Sequence, residues 1–149
     1  MNELATALGW TGIYSPMALG AIGSSIGCAI AGQAGIGAML ETEGGYGRYI
    51  GLSAFPSSMV IYGIVVMFTL NRDVTAENAG ALFGIGFFAG LALLFCAIWQ
   101  GRAVASAINA FKEKPEIFGL SVAPAAIVEG FAVFAFIFAL VVSGGIPGA

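Results

Sequence analysis

Residues 117–142 read IFGLSVAPAAIVEGFAVFAFIFALVV and contain one ionisable side chain, that of Glu129. A helix needs about 20 consecutive apolar residues to cross the hydrocarbon core of a bilayer, and this run is long enough. Its residues do not alternate between apolar and polar, as the strands of a membrane β-barrel do. The stretch therefore predicts a membrane-spanning helix with a carboxyl group near its middle.

Three more apolar segments precede this one, from about residue 13 to 40, 48 to 70 and 79 to 111, and short polar breaks separate them. The chain of 149 residues is 59% hydrophobic and 9% charged, whereas soluble proteins carry about 25% charged residues. We therefore predict an all-α integral membrane protein with four transmembrane helices. The net charge of −3 and the absence of a basic patch argue against nucleic acid as a partner.

The distribution of basic residues predicts an orientation. Four of the five lie at or near the first and third connections: Arg48, Arg102, Lys112 and Lys114. Because cytoplasmic loops are enriched in lysine and arginine, we expect the loops near residues 41–47 and 112–117 to be cytoplasmic. Both termini and the loop that contains Arg72 then lie on the opposite side. The predicted location is the plasma membrane of a bacterium.

The second half of the sequence repeats the first at a shift of about 72 residues. The polar loop at residues 41–47 falls on residues 113–119 at that shift. Since this shift keeps the order and direction of the segments, the repeat is a helical hairpin duplicated in parallel. We expect one hairpin over residues 1–74 and a second over residues 75–149.

Small residues are concentrated in the first and third segments. One row in the first segment repeats at steps of four: Gly23, Gly27, Ala31 and Gly35. Such rows let helix backbones approach closely in lipid. The second and fourth segments are rich in bulky phenylalanine, methionine and tyrosine, so each hairpin is wedge-shaped, and wedges repeated about an axis close into a ring. A monomeric four-helix bundle with one tight glycine interface is the alternative.

Glu129 is the candidate functional residue. A charge in the middle of a membrane helix costs about 3 kcal/mol on insertion scales, so such residues usually serve transport. At the shift of 72, the position that matches Glu129 is occupied by Ser57. The first hairpin therefore has no ion-binding carboxylate, and we expect one ion site for every four helices.

Three polar side chains are candidate neighbours of this carboxylate. Gln100 is a strongly polar residue deep in the third segment, where a buried amide needs partners. Ser58 and Tyr62 lie one turn apart in the second segment and can present hydroxyl groups to the same place. Ser58 bonded back to its own helix and Tyr62 at the membrane interface are the structural alternatives.

Three motifs resemble the K subunit, or proteolipid, of bacterial V-type ATPases. Residues 53–63, SAFPSSMVIYG, look like its second-helix motif, and residues 127–132, IVEGFA, resemble its ion-binding fourth helix. Residues 99–102, WQGR, are similar to the glutamine motif of its third helix. The resemblance covers essentially the whole chain, including the duplication.

This resemblance implies a homo-oligomeric rotor ring that turns against a stator subunit bearing an essential arginine. Central-stalk subunits would couple the rotation to ATP hydrolysis or synthesis on other subunits, so this chain would not be an enzyme and would need no cofactor. Glu129 would carry H⁺ or Na⁺. In the sodium-translocating members, the positions of Gln100, Ser58, Tyr62 and the backbone carbonyl of Phe55 contribute to the ion site.

One departure bears on the transported ion. Met59 stands where the sodium-binding members have a second glutamine, and a thioether is a poor ligand for a hard cation. A sodium site would then consist of Glu129, Gln100, Ser58 and Tyr62. Proton transport requires the carboxylate alone, so both ions stay open.

Two other classes of membrane protein compete with this interpretation. A small proton-coupled multidrug antiporter also packs four helices around a membrane glutamate, but its carboxylate usually lies in the first helix and it lacks a tandem duplication. A junction-forming proteolipid would have a purely structural role, for which Glu129 and Gln100 would be dispensable.

Overall fold

The protein is described by a computed structural model over residues 3–148, in which these residues form helices and turns without a β-strand. The five α-helices are α1 (Glu3–Glu41), α2 (Tyr46–Ser53), α3 (Ser58–Leu70), α4 (Ala79–Glu113) and α5 (Phe118–Ser143). Single 3₁₀ turns, Phe55–Ser57 and Pro115–Ile117, precede α3 and α5. Four spans are long and apolar enough to cross a membrane: Glu3–Glu41, Tyr46–Leu70, Ala79–Glu113 and Pro115–Ser143. This confirms the all-α architecture with four membrane helices.

The first helix begins earlier than the sequence predicts. The apolar run indicates a start near residue 13, whereas α1 begins at Glu3. The additional turns are held by packing, because Gly9 lies against Val74 and Gly12 against the backbone of Leu82. Glu3 in the first turn also interacts favourably with the positive end of the helix dipole.

The second span, Tyr46–Leu70, is long enough to cross a membrane as the sequence predicts, but its α-helical geometry is interrupted in the middle. Its segments α2 and α3 are separated by the 3₁₀ turn that contains Pro56. Proline has no N–H and its ring clashes with the carbonyl of the residue four positions earlier, which disfavours a regular helix at Pro56. Proline alone does not account for the interruption, because α1 and α5 continue through Pro16 and Pro124.

Helices α1 and α4 lie side by side with their backbones in close contact. A Cβ atom on Gly23 would lie 2.6 Å from the Cα atom of Leu94, and Gly27 packs against the backbones of Ala97 and Gly101. The glycine row of the first segment therefore allows the close approach of helices that the sequence predicts.

Helix α5 is the most peripheral of the long helices, with large side chains exposed along it: Ile127, Phe131, Phe134, Phe138 and Val141.

The connections fall at two ends of the bundle. Lys112 and Glu41 form an ion pair of 2.6 Å, which joins the first and third connections at one end. At the other end Arg72 donates to the Ile146 carbonyl over 3.0 Å, and Asn78 donates to the Pro147 carbonyl over 3.2 Å. This pairing of the ends matches the predicted topology, and the assignment of one end to the cytoplasm stays a prediction.

Candidate functional site

The carboxylate of Glu129 lies where α3, α4 and α5 meet. It belongs to α5, whose apolar sequence contains no other ionisable residue. Glu129 is half-buried, while Ile127 and Phe131 on either side of it are 64% and 63% exposed. The carboxylate is thus partly covered by the chain, and a group that contacts the outer face of α5 could reach it.

Helix α4 supplies an amide to this carboxylate. Gln100 is fully buried, with 0% exposure, and its Nε2 donates to Glu129 Oε2 over 2.8 Å. The same nitrogen donates to the backbone carbonyl of Ala125, one turn earlier on α5, over 3.3 Å. These two acceptors hold the amide against α5 and fix its orientation.

Helix α3 supplies a phenol to the other oxygen. The hydroxyl of Tyr62 donates to Glu129 Oε1 over 2.8 Å. Its ring stacks on that of Phe136, two turns further along α5, with 5.1 Å between the ring centroids. Both carboxylate oxygens therefore accept a hydrogen bond from a side chain of another helix, an arrangement suited to an ionised, acceptor-only carboxylate.

One polar atom of this group is left without a partner. Among residues 3–148, the Oε1 atom of Gln100 is buried and accepts no hydrogen bond. A buried carbonyl oxygen without a partner costs about 1–3 kcal/mol. An unpartnered oxygen on the amide that bonds to the carboxylate is suited to bind a cation, which would remove the cost.

Ser58 and Phe55 are adjacent to the carboxylate's neighbours but do not bond to Glu129 itself. The Ser58 hydroxyl donates to the Phe55 carbonyl over 3.2 Å, so it is bonded back to its own span. The Ser58 side chain also neighbours the hydroxyl of Tyr62. The two residues therefore supply a hydroxyl and a carbonyl oxygen at the start of α3, next to the Tyr62–Glu129 pair.

Met59 is part of an apolar cluster. It is fully buried and belongs to a cluster with Leu93, Ala97 and Ala132, against which Tyr62 and Cys96 pack. Met59, which stands where the sodium-binding members of the resembled family have a second glutamine, is therefore part of the core between α3 and α4.

The position in the first half that corresponds to Glu129 does not carry an ionisable side chain. Ser57 is exposed, and its hydroxyl donates to the carbonyl of Ala54 over 2.6 Å in its own turn. Across residues 3–148, no group of three or more histidine, cysteine, aspartate or glutamate side chains could hold a metal ion. The candidate site is thus one carboxylate among neutral oxygen and nitrogen groups.

Two contacts of the site have no signal in the sequence. The carbonyl of Ala125 holds Gln100, and every residue has such a carbonyl, so only the fold shows which one is used. The stacking of Phe136 on Tyr62 is equally hidden, because α5 contains several phenylalanines in similar positions.

Comparison with known proteins gives a consistent result. The model of the family described as the C subunit of ATP synthase matches the chain twice, over residues 11–70 and 83–142, at a separation of 72 residues. This confirms the duplication. An A-type ATP synthase subunit K of Methanocaldococcus jannaschii is 34% identical over 89% of this chain. A V-type sodium ATPase subunit K of Enterococcus hirae is 27% identical over 78% of this chain and 77% of its own length. The chain spans 62% of the length of the Methanocaldococcus protein.

Proposed function

This chain belongs to the family of ATP synthase C subunits, and on that premise we propose that it is a rotor-ring proteolipid of a V/A-type ATPase that carries a cation on Glu129. Its four membrane-spanning helices make it an integral membrane protein. The family assignment gives no support to the multidrug-antiporter alternative.

The observation that carries the proposal is the environment of Glu129. Its two carboxylate oxygens accept hydrogen bonds of 2.8 Å from Tyr62 and Gln100, midway along an apolar helix. An ionised group at that depth is costly unless it is satisfied, and both partners here are neutral. The site can therefore bind one positive charge and neutralise it for passage through lipid.

The half-buried position of Glu129 supports a role as a carrier. A carrier carboxylate must exchange its ion with an outside partner, and a fully enclosed one could not do so. In a ring of identical subunits, the outer face of α5 would pass a stator subunit. An arginine of that stator would displace the ion by pairing with Glu129. Central-stalk subunits would link this rotation to ATP hydrolysis or synthesis on other subunits, and this chain itself would not be catalytic.

The unpartnered oxygen of Gln100 favours Na⁺ as the carried ion. Sodium needs several oxygen ligands, and five candidates lie in this region: Glu129, Gln100 Oε1, the hydroxyls of Tyr62 and Ser58, and the Phe55 carbonyl. The relative from Enterococcus hirae is named as a sodium ATPase subunit.

Protons are the second candidate, and Met59 is the observation that favours them. Its thioether is enclosed in an apolar cluster and contributes no oxygen to the site. Glu129 already has a partner for each of its oxygens without a metal cation, and proton transport needs nothing more than reversible protonation of that carboxylate.

Labelling of the assembled complex with a carboxyl-reactive carbodiimide tests the proposal. We expect the reagent to modify Glu129, and Na⁺ at constant pH to protect it from modification. Glu129→Gln should abolish the labelling. Glu116→Gln, which changes an exposed carboxylate in a 3₁₀ turn, should leave the labelling unchanged.

Each result has a definite meaning. Labelling without protection by Na⁺ would assign the site to protons. A wild-type complex in which Glu129 is not modified, or a Glu129→Gln complex that still transports ions, would refute the carrier role.

A further inference from the structure

Ser24 of α1 bridges two backbone groups of the neighbouring span. Its hydroxyl donates to the carbonyl of Pro56 over 2.7 Å and accepts from the N–H of Val60 over 3.1 Å. In an uninterrupted helix these two groups, four residues apart, bond to each other. A side chain from α1 therefore inserts into the hydrogen-bond ladder at the start of α3, a known cause of helix kinks.

The surroundings of Ser24 let its short side chain reach that far. Gly20 and Gly27 lie about one turn before and after it on α1. A Cβ on Gly20 would be 2.9 Å from the carbonyl oxygen of Met59, and a Cβ on Gly27 would be 2.7 Å from the Cβ of Pro56. Both glycines are thus in close contact with the break, and Ser24, 6% exposed, lies between them.

The duplicated half provides an internal comparison. At the shift of 72 residues, Ser24 corresponds to Cys96 and Pro56 to Val128. Helix α5 runs without interruption past Val128, from Phe118 to Ser143. At these two positions the hydroxyl and the proline occur together in the half with the interrupted helix, whereas α5 has neither there and continues even through its own Pro124.

The bridged turn lies directly before the part of the span that contacts the ion site. Ser58, which opens α3, donates to the carbonyl of Phe55, and Tyr62, one turn later, donates to Glu129. The rotation of α3 about its axis decides whether the Tyr62 hydroxyl meets the carboxylate. The bridge attaches at Pro56 and Val60, shortly before Tyr62 and at the start of the same helix.

We propose that Ser24 is a positioning residue of the ion site, whose hydroxyl fixes the start of α3 and so holds Tyr62 toward Glu129. Ser24 does not touch the ion or the carboxylate and acts through α3. This inference rests on the proposed function, because its effect is measured at Glu129.

The test measures, in the assembled ring, the Na⁺ concentration that half-protects Glu129 from the carbodiimide, or the labelling rate at fixed pH if Na⁺ does not protect. Ser24→Ala removes the bridge. It should raise the half-protecting Na⁺ concentration about fivefold to tenfold, or change the labelling rate by the same factor. Ser25→Ala is the matched control, because the Ser25 hydroxyl is exposed and bonds to Ile22 in its own helix. It should behave like wild type.

A double variant distinguishes positioning from general destabilisation. If Ser24 acts through Tyr62, then Ser24→Ala should add less than about twofold once Tyr62→Phe has removed the phenol, because coupled sites are not additive. Two results would overturn the inference. One is that Ser24→Ala changes labelling or its protection as much in the Tyr62→Phe background as in wild type. The other is that Ser24→Ala gives the same values as Ser25→Ala.

Should the alanine variant give no assembled ring, Ser24→Cys takes its place under the same criteria, since a thiol is a weak hydrogen-bonding group of similar shape. Failure of the two proposals is distinguishable. Loss of Glu129 labelling in wild type would refute the carrier role, whereas normal labelling with identical Ser24 and Ser25 variants would refute only the role of Ser24.

Discussion

The two halves of this chain differ sharply at equivalent positions of the same hairpin. In the second half Gln100 and Glu129 face each other across α4 and α5, joined by a hydrogen bond of 2.8 Å. At the shift of 72 the first half has Cys28 and Ser57 in their places, and the Cys28 sulfur contacts the backbone of Ser57. The helical scaffold is repeated, whereas the polar pair is present once.

The first half nevertheless contributes to the site of the second. Tyr62 reaches Glu129 from α3, and the equivalent residue of the second half is Phe134, which is 60% exposed. The 3₁₀ turn at Pro56, which directly precedes α3, also belongs to the first half. We infer that duplication was followed by division of roles: one half supplies the carboxylate and amide, and the other supplies the phenol and the broken helix. Making each half resemble the other tests this division.

The largest effect is expected when the second half loses its carboxylate. Glu129→Ser reproduces the residue of the first half and leaves nothing to bind a cation, so we expect ATP-driven ion transport in reconstituted vesicles to fall to background. Glu113→Ser, at an exposed acidic residue, should transport normally. Measurable ion transport by the Glu129→Ser complex would mean that the carrier site lies elsewhere.

The next effect concerns the amide. Gln100→Cys copies Cys28 and removes a hydrogen bond to a charged group, so ion binding should weaken about 10-fold to 100-fold. The measurement is the Na⁺ concentration that half-protects Glu129 from labelling. If the site carries protons and Na⁺ does not protect it, the labelling rate at fixed pH is measured instead. Gln33→Cys, at an exposed glutamine of α1, is the control. Equal binding by both variants would remove Gln100 from the site.

A smaller loss is expected at the phenol. Tyr62→Phe copies Phe134, keeps the stacking on Phe136 and removes one hydroxyl from a half-buried site, so the same measurement should change about tenfold. Tyr14→Phe, at a tyrosine of α1 that is 57% exposed, should have no effect. If Tyr62→Phe binds as wild type does, then the first half does not contribute to the site through its phenol.

The features recognisable from sequence are those that depend on energetic cost. A carboxylate in an apolar helix and a deep amide are both expensive to bury, which is why Glu129 and Gln100 stand out and why the sequence predicts their contact. The four spans and the duplication follow equally from apolar runs and a repeated loop.

The features that the sequence does not predict depend on backbone geometry. The residue types leave open whether Ser58 bonds back to its own span or to Glu129, and the structure shows the bond to Phe55. They do not indicate that Ala125 holds the amide of Gln100, or that Ser24 bridges Pro56 and Val60. Successive side chains of a helix point about 100° apart around its axis. Which of them meet a neighbouring helix therefore depends on how the helix is rotated about that axis, and packing decides this rotation. The early start of α1 at Glu3 is similar, because Gly9 and Gly12 gain their partners only once the bundle has formed.

The smallest effect is expected in the first half itself. Ser57→Ala and Cys28→Ala change the residues that replace the carboxylate and the amide, and neither side chain bonds to Glu129, Gln100 or Tyr62 in residues 3–148. Because the Ser57 hydroxyl is exposed and bonds within its own turn, its removal should shift ion binding and transport by no more than about twofold. The same carbodiimide and vesicle measurements apply. A loss comparable with that of Gln100→Cys would show that the first half keeps a polar role of its own at this position, and the division of roles between the halves would then have to be abandoned.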